Sequence, residues 1–212
     1  MRSFYRAMMK FVTSRFLPFV CIAFALASTA SAKSKLGEYF LGFSYFGGNG
    51  ESADVDVLDV EVNNPISDTN DVRLGLMWLN TNRSGAGDDT SWWLDIDLVY
   101  HYDGFMNGAG TFRPYASAGI GYLDDSARII LPDDGFNWKL AIGSEIILTD
   151  VLSASVGLNM YGLWDDFSEN DLEWEISMLY WFNELHGAGL EYRQSDDMEV
   201  NYFGLRYLYS WQ

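Results

Sequence analysis

Phe112-Arg113-Pro114-Tyr115-Ala116-Ser117-Ala118-Gly119-Ile120-Gly121-Tyr122-Leu123 alternates without a break. In an extended chain successive side chains point to opposite sides, so Phe112, Pro114, Ala116, Ala118, Ile120 and Tyr122 share one face. The other face carries Arg113, Tyr115, Ser117, Gly119 and Gly121. A strand with one side in water normally shows Lys and Glu there and little Gly. Here the small and charged residues look like an interior, and the apolar face looks outward.

The same pattern spreads from this stretch in both directions. In 137–148, Trp138, Leu140, Ile142, Ser144, Ile146 and Leu148 oppose Lys139, Ala141, Gly143 and Glu145. After a short turn at Thr149-Asp150-Val151, Leu152, Ala154, Val156, Leu158 and Met160 oppose Ser153, Ser155, Gly157 and Asn159. Segments 92–102 and 172–182 alternate likewise, and 38–46, 53–62, 71–80, 186–194 and 198–211 do so more weakly. That makes ten strands. In 53–62, Val55 and Val57 are out of phase with Val60 and Val62, which calls for a bulge at Leu58. If that segment is instead an excursion outside the membrane, the count falls to eight.

On the large-apolar face the only charged residue is Glu199, at a strand end. A charge at mid-bilayer costs about 2–4 kcal/mol on the lipid side of a barrel, so a face that excludes charge fits lipid. Strands can cross hydrocarbon only as a closed barrel, because an open edge leaves backbone groups unpaired. No run of ~18 apolar residues and no sustained 3.6-residue period argues for helices after residue 32. The expected fold is all-β, a closed antiparallel transmembrane β-barrel built from residues 33–212.

Residues 1–32 are of another kind. They hold no acid; Arg2, Arg6, Lys10 and Arg15 precede the apolar run Phe16 to Ala27, and Ala30-Ser31-Ala32 closes it with small residues. This is the plan of a secretory signal cleaved after Ala32, and the run is shorter than the ~20 residues that a spanning helix needs. The only cysteine, Cys21, lies inside this segment, so the exported chain offers no disulfide, thiolate or Cys metal site. Nine basic residues then face 30 acids, a formal charge of −21 on residues 33–212. Nucleic acid is excluded as a partner, since phosphate binding needs clustered Lys and Arg.

Loop lengths orient the barrel. Short connections at 149–151 and 183–185 belong in the periplasm, while 124–136 and 165–171 belong outside the cell. Both chain ends are then periplasmic, in the outer membrane of a Gram-negative bacterium. Trp78, Trp92, Trp138, Trp164 and Trp174 fall at the outer strand ends and Tyr39, Tyr102, Phe112, Phe182, Tyr209 and Trp211 at the periplasmic ends, as two aromatic girdles would.

The run from Phe112 to Tyr122 resembles the "RPY-small-GxGY" strand of the OmpA-like, opacity-type outer-membrane barrels. The segment that follows, with Gly143, Glu145, the Thr149-Asp150 turn and another amphipathic strand, is similar to what comes next in that family. The chain closes on Phe203, Leu205, Tyr207, Tyr209 and Trp211, which resemble the alternating C-terminal signal read by the barrel-assembly machinery; Gln212 departs from it by following the final aromatic. The resemblance implies a monomer surrounded by outer-membrane lipid and lipopolysaccharide. It brings no catalytic motif, and members commonly have eight strands.

Few residues point to chemistry. His101 and His186 both fall at periplasmic strand ends, His186 facing lipid, and neither is placed as a catalytic base, so no enzyme and no cofactor are expected. The doublets Asp88-Asp89, Asp124-Asp125, Asp133-Asp134, Asp165-Asp166 and Asp196-Asp197 are open to two readings, divalent-cation sites or a solvated, self-repelling rim. The inward residues Arg73, Asp95, Asp97, Arg113, Lys139, Glu145, Glu175, Glu191, Arg193 and Arg206 form the candidate site, a lumen network of five acids and five bases. Hairpin register puts Glu175 opposite Arg193, Ser177 opposite Glu191, Arg73 opposite Val99 and Arg113 opposite His101. Asp54, Asp56, Asp59 and Glu173 would make any residual path attractive to cations. The expected role is a structural or surface-interaction barrel with a plugged lumen, with a narrow cation-preferring channel as the alternative and a lipid-modifying enzyme behind both.

Overall fold

A computed structural model describes residues 33–49, 54–83, 87–103, 105–107, 110–125, 130–131, 133–196 and 201–211. The proposed signal with Ala32 and Cys21 lies outside these residues, as do Glu199, Asp197, Gln212 and the side chain of Asp88.

Among the described residues eleven strands follow in order: β1 Phe40–Asn49, β2 Asp54–Ser67, β3 Asn70–Arg83, β4 Gly87–His101, β5 Phe105–Asn107, β6 Gly110–Asp125, β7 Gly135–Thr149, β8 Leu152–Leu163, β9 Asn170–Trp181, β10 His186–Ser195 and β11 Asn201–Ser210. Each pairs antiparallel with its neighbour, β4 passes over β5 to pair with β6, and β1 closes on β11 with Phe40 opposite Ser210. The three-residue β5 is only a flap on β6, with Phe105 opposite Phe112. The wall therefore has ten strands and no open edge, which satisfies the backbone without water. β2 pairs along its length with both β1 and β3, so the eight-strand alternative falls away.

The bulge expected at Leu58 is absent. β2 keeps one register against β3 from Asp54 to Pro65, and its only irregularity lies between Pro65 and Ser67. The change of phase has another cause. Leu58 faces outward while Asp59 and Asn63 face the lumen, but farther along the strand Val55 and Val57 are buried inside and Asp54 and Asp56 are exposed outside. There Asp56 accepts a hydrogen bond from the Tyr45 hydroxyl at 2.6 Å. The strand has risen beyond the lipid band into water, and its polarity inverts to that of a soluble barrel. Asp54 and Asp56 therefore line the outer rim and not the lumen.

Below that level the outward face is apolar. Leu74, Leu98, Ile120, Ile142, Ile176 and Leu205 are all exposed and form the band that lipid covers. Trp78, Trp164 and Trp174 ring one edge, and Tyr102, Phe182 and Tyr209 the other. Trp93 and Trp181 break the rule, since both are buried inside.

The two ends differ. At the end where β1 starts and β11 finishes, here the turn end, strands join through 68–69, 150–151 and 182–185. The fourth connection, 102–109, carries β5. At the opposite loop end the connections are 50–53, 84–86, 126–134, 164–169 and 196–200.

Candidate functional site in the barrel lumen

Alternation delivers the charges to the lumen, but closure decides who meets whom. Arg193 on β10 reaches across to Asp59 on β2, with Nη2 3.0 Å from Oδ2, while its Nε lies 2.7 Å from Glu191. Arg206 on β11 bridges Glu191 and Glu61, each at 3.2 Å, and its Nε also donates to the Ser44 hydroxyl. Arg73 pairs with Glu61 at 3.0 Å. One chain of ion pairs thus runs Asp59, Arg193, Glu191, Arg206, Glu61, Arg73. On the other wall, Lys139 Nζ lies 2.8 Å from Asp97 and 3.4 Å from Asp95. A buried charge without a partner costs several kcal/mol, which is why these groups appear in linked sets.

Glu175 and Arg193 stand opposite each other, as do Ser177 and Glu191. Two register expectations need correction. Arg73 faces Asp97 and not Val99, because β3 and β4 stay paired up to Arg83 and Gly87 and leave only three residues between them. Arg113 faces Glu145 of β7, and His101 faces Tyr115, because the β5 flap takes up part of the connection and shifts β4 by two residues.

Tyr115 fills the lumen wall. A Cβ at Gly143 would sit 2.5 Å from its ring and one at Gly157 2.6 Å from its hydroxyl, so both positions must lack a side chain for the ring to lie flat across β7 and β8.

Toward the loop end the lumen turns apolar. Phe46, Val55, Val57, Leu79, Trp93, Leu123, Tyr161, Leu163 and Tyr202 form one cluster with Ile130 and Leu131, which belong to the 126–134 connection and are buried in it. Asp125 holds that loop inward: its Oδ2 accepts from the amides of Ile130 at 2.5 Å and Leu131 at 3.2 Å, and its Oδ1 from Ser91 at 2.6 Å. One member of the acidic doublets is thus buried and structural. Asp133, Asp165, Asp166 and Asp196 are exposed. Among the described residues no three His, Cys, Asp or Glu side chains are placed to hold a metal ion.

At the turn end the chain before β1 folds back into the mouth, a feature nothing in the alternation announces. Ser34, Lys35 and Leu36 are buried there. His101 is also fully enclosed, with Nε2 3.6 Å from Asp71 and Nδ1 3.2 Å from Asp103. Burial pushes the Asp103 carboxyl up, but the hydrogen bond and charge of Arg113, at 2.7 Å, together with His101 outweigh this and hold it below the usual carboxylate range. His186 sits outside, with Nδ1 2.6 Å from the Tyr207 hydroxyl. Phe203, Leu205, Tyr207, Tyr209 and Trp211 all face outward along β11 and just past its end.

Between the two ends a cavity of about 100 Å³ remains, lined by Asp59, Glu61, Arg73, Asp95, Lys139, Glu175, Arg193 and Arg206 among others. Sequence reasoning missed Lys35, Glu61, Asp71 and Asp171 as lumen charges. Glu61 and Asp71 alternate correctly with Asn63 and Arg73 once β2 and β3 are in phase, whereas Lys35 carries no periodic signal.

Several solved outer-membrane barrels share this architecture. An outer membrane channel from Pseudomonas putida F1 superposes over 87% of this chain and 100% of its own, with a TM-score of 0.51 and 10% identity. The NanC porin covers 81% and 99% at 12% identity with a TM-score of 0.47, and the N-terminal β-barrel domain of Pseudomonas aeruginosa OprF covers 82% and 99% at 16% with 0.35. The fold is that of the outer-membrane β-barrels. No protein-family model and no curated protein matches the chain.

Proposed function

We propose that the protein is a bacterial outer-membrane barrel with a closed, charged lumen, acting at the cell surface in a structural or interaction role through its acidic loops. In this reading the turn end and both chain ends are periplasmic, and the loop end carrying Asp133, Asp165, Asp166 and Asp196 faces outward. Outer-membrane lipid and lipopolysaccharide surround a monomer. The β11 face from Phe203 to Trp211 is what the assembly machinery recognises. The likeness of β6 to the opacity-type barrels supports the placement, although ten strands exceed the eight common there.

The observation that carries the reading is the filling of the lumen. Apolar side chains close one end, residues 34–36 enter the other, and the cavity between them is about 100 Å³. That is room for several waters, which supports a lumen without a wide solute path. Planar-bilayer recording of refolded protein tests it: the expected trace has no steady current. A large, stable, anion-selective current overturns it.

One observation favours the alternative, a narrow cation-preferring path. Asp59, Glu61, Asp71, Asp95, Asp97, Glu145, Asp171, Glu173, Glu175 and Glu191 outnumber Lys35, Arg73, Arg113, Lys139, Arg193 and Arg206 among the inward groups. Brief cation-selective openings in the same recording would select it. Unchanged lipid A mass spectra from cells with and without the protein are expected on either reading, and a changed spectrum would select an enzyme.

A further inference from the structure

Residues 33–38 fold into the turn-end mouth without joining the wall. Among the described residues, backbone hydrogen bonding to the wall ends at Tyr39, whose carbonyl accepts from Trp211 at 3.1 Å. Beyond it, in the direction of Lys33, the segment is held by side chains. Arg113 Nη1 donates to the Leu36 carbonyl at 2.8 Å, and Asn63 Nδ2 to the Glu38 carbonyl at 2.8 Å. The Gly37 amide donates to Asp71 at 3.0 Å, and the Lys35 amide to Glu145 at 3.1 Å. The Ser34 hydroxyl also donates to Glu145. Leu36 is the one apolar anchor, 1% exposed. Gly37 makes the turn inward with φ of +77°, and a Cβ there would stand 3.4 Å from His101 and 3.5 Å from Arg113.

The Lys35 side chain, 7% exposed, extends into the lumen to within 3.5 Å of Glu175. Among the described residues Lys35 is the one cation within 4.0 Å of Glu175, and Arg193, Arg206 and Arg73 act on it only from farther off. The arginine opposite it in the sheet is committed to Glu191 and Asp59. A carboxylate this deep needs a cation, and the segment brings one.

We propose that residues 33–38 are a detachable seal of the periplasmic mouth, and that Lys35 is the removable counter-ion of Glu175. The inference rests on the closed-lumen, periplasmic-turn reading above. When the segment withdraws along its Gly37 hinge, the mouth opens and the lumen loses one positive charge, so a carboxylate faces the periplasm. The segment is therefore a regulator of access from the inner side, independent of the loop that Asp125 holds at the other end.

The test uses protein purified from the outer membrane and expressed from a Cys21→Ala precursor, so that no native thiol is present whether or not the signal is removed. Ser155 lies inside the lumen, in register with Glu145 and hydrogen-bonded to Ser177 at 2.6 Å, and Ser168 lies in an exposed loop. Cysteines are placed singly at each, and the rate of modification by a small charged methanethiosulfonate is read. With the seal intact, Ser155→Cys reacts on the order of a hundredfold more slowly than Ser168→Cys, because reaction waits for an opening. With Ser34, Lys35 and Leu36 all replaced by Gly, the Ser155→Cys rate rises by about tenfold or more at unchanged Ser168→Cys rate. Lys35→Glu, which sets an acid against Glu175 and alters no wall residue, moves it the same way and serves if the triple variant does not insert. Slow modification in every folded variant, with folding read from heat-modifiable gel mobility, overturns the seal and leaves the closed lumen standing. Modification of Ser155→Cys in the unaltered segment as fast as Ser168→Cys overturns the closed lumen, and the seal with it.

Discussion

Glu175 and Arg193 face each other across β9 and β10, yet each takes its ion partner from elsewhere in the barrel. Arg193 turns to Glu191 and to Asp59, 3.0 Å away on a strand that only closure brings near, and Glu175 takes Lys35 from a segment outside the wall. Side chains from several strands meet in a narrow barrel, so the cross-strand neighbour competes with groups brought in across the β1–β11 seam and from the mouth.

That relationship sets the first prediction. In double-mutant cycles read by denaturant unfolding in lipid, Asp59 and Arg193 should couple by about 1–3 kcal/mol, within the range for residues in one ionic network. Glu175 and Arg193 should couple more weakly. A larger coupling for the cross-strand pair would show that register, and not closure, selects the partners.

Topology is testable with single cysteines on intact cells. Ser168→Cys, in the exposed 164–169 connection, should react with a membrane-impermeant thiol reagent, and Asp150→Cys, in the two-residue turn between β7 and β8, should not. Reaction at Asp150 alone would invert the barrel. Ser126, in the 126–134 connection, lies outside the described residues.

Asp125 should matter more than its place in an acidic doublet suggests. It is 1% exposed and accepts from Ile130, Leu131 and Ser91, so Asp125→Ala orphans three donors at about 1–3 kcal/mol for each that finds no water. Protease cleavage between 126 and 134 should accelerate. Asp166→Ala, at an exposed loop position, should leave that cleavage rate unchanged.

The lipid face gives a fourth expectation. Ile142 is 61% exposed in the middle of β7, and Ile142→Arg should cost about 2–4 kcal/mol in lipid unfolding experiments, as charge at mid-bilayer does. Asp56→Arg, at the outward rim above the lipid band, should cost far less. Equal costs at the two positions would contradict the band drawn here.

Much of this molecule was legible in the chain itself. The unbroken alternation from Phe112 to Leu123, repeated in the strands around it, determined strand identity, the lipid-facing side and the count of ten, because the side-chain period of a strand is local and the hydrocarbon tolerates no error in it. The β9 to β10 register was legible too, since the tight turn at 182–185 leaves little slack; Asn183 Oδ1 fixes it by accepting from the amides of Leu185 and His186. Only the tertiary structure decided the rest. Where β2 leaves the lipid, Val55 and Val57 turn inward, because water replaces hydrocarbon outside and the preference of each face reverses. Which acid each arginine meets depends on barrel closure at β1 and β11 bringing β10 and β11 round to within reach of β2, a relation across more than a hundred residues that no local period encodes. Lys35, Ile130 and Leu131 enter the lumen from irregular segments, and such segments carry no alternation from which their direction could be read.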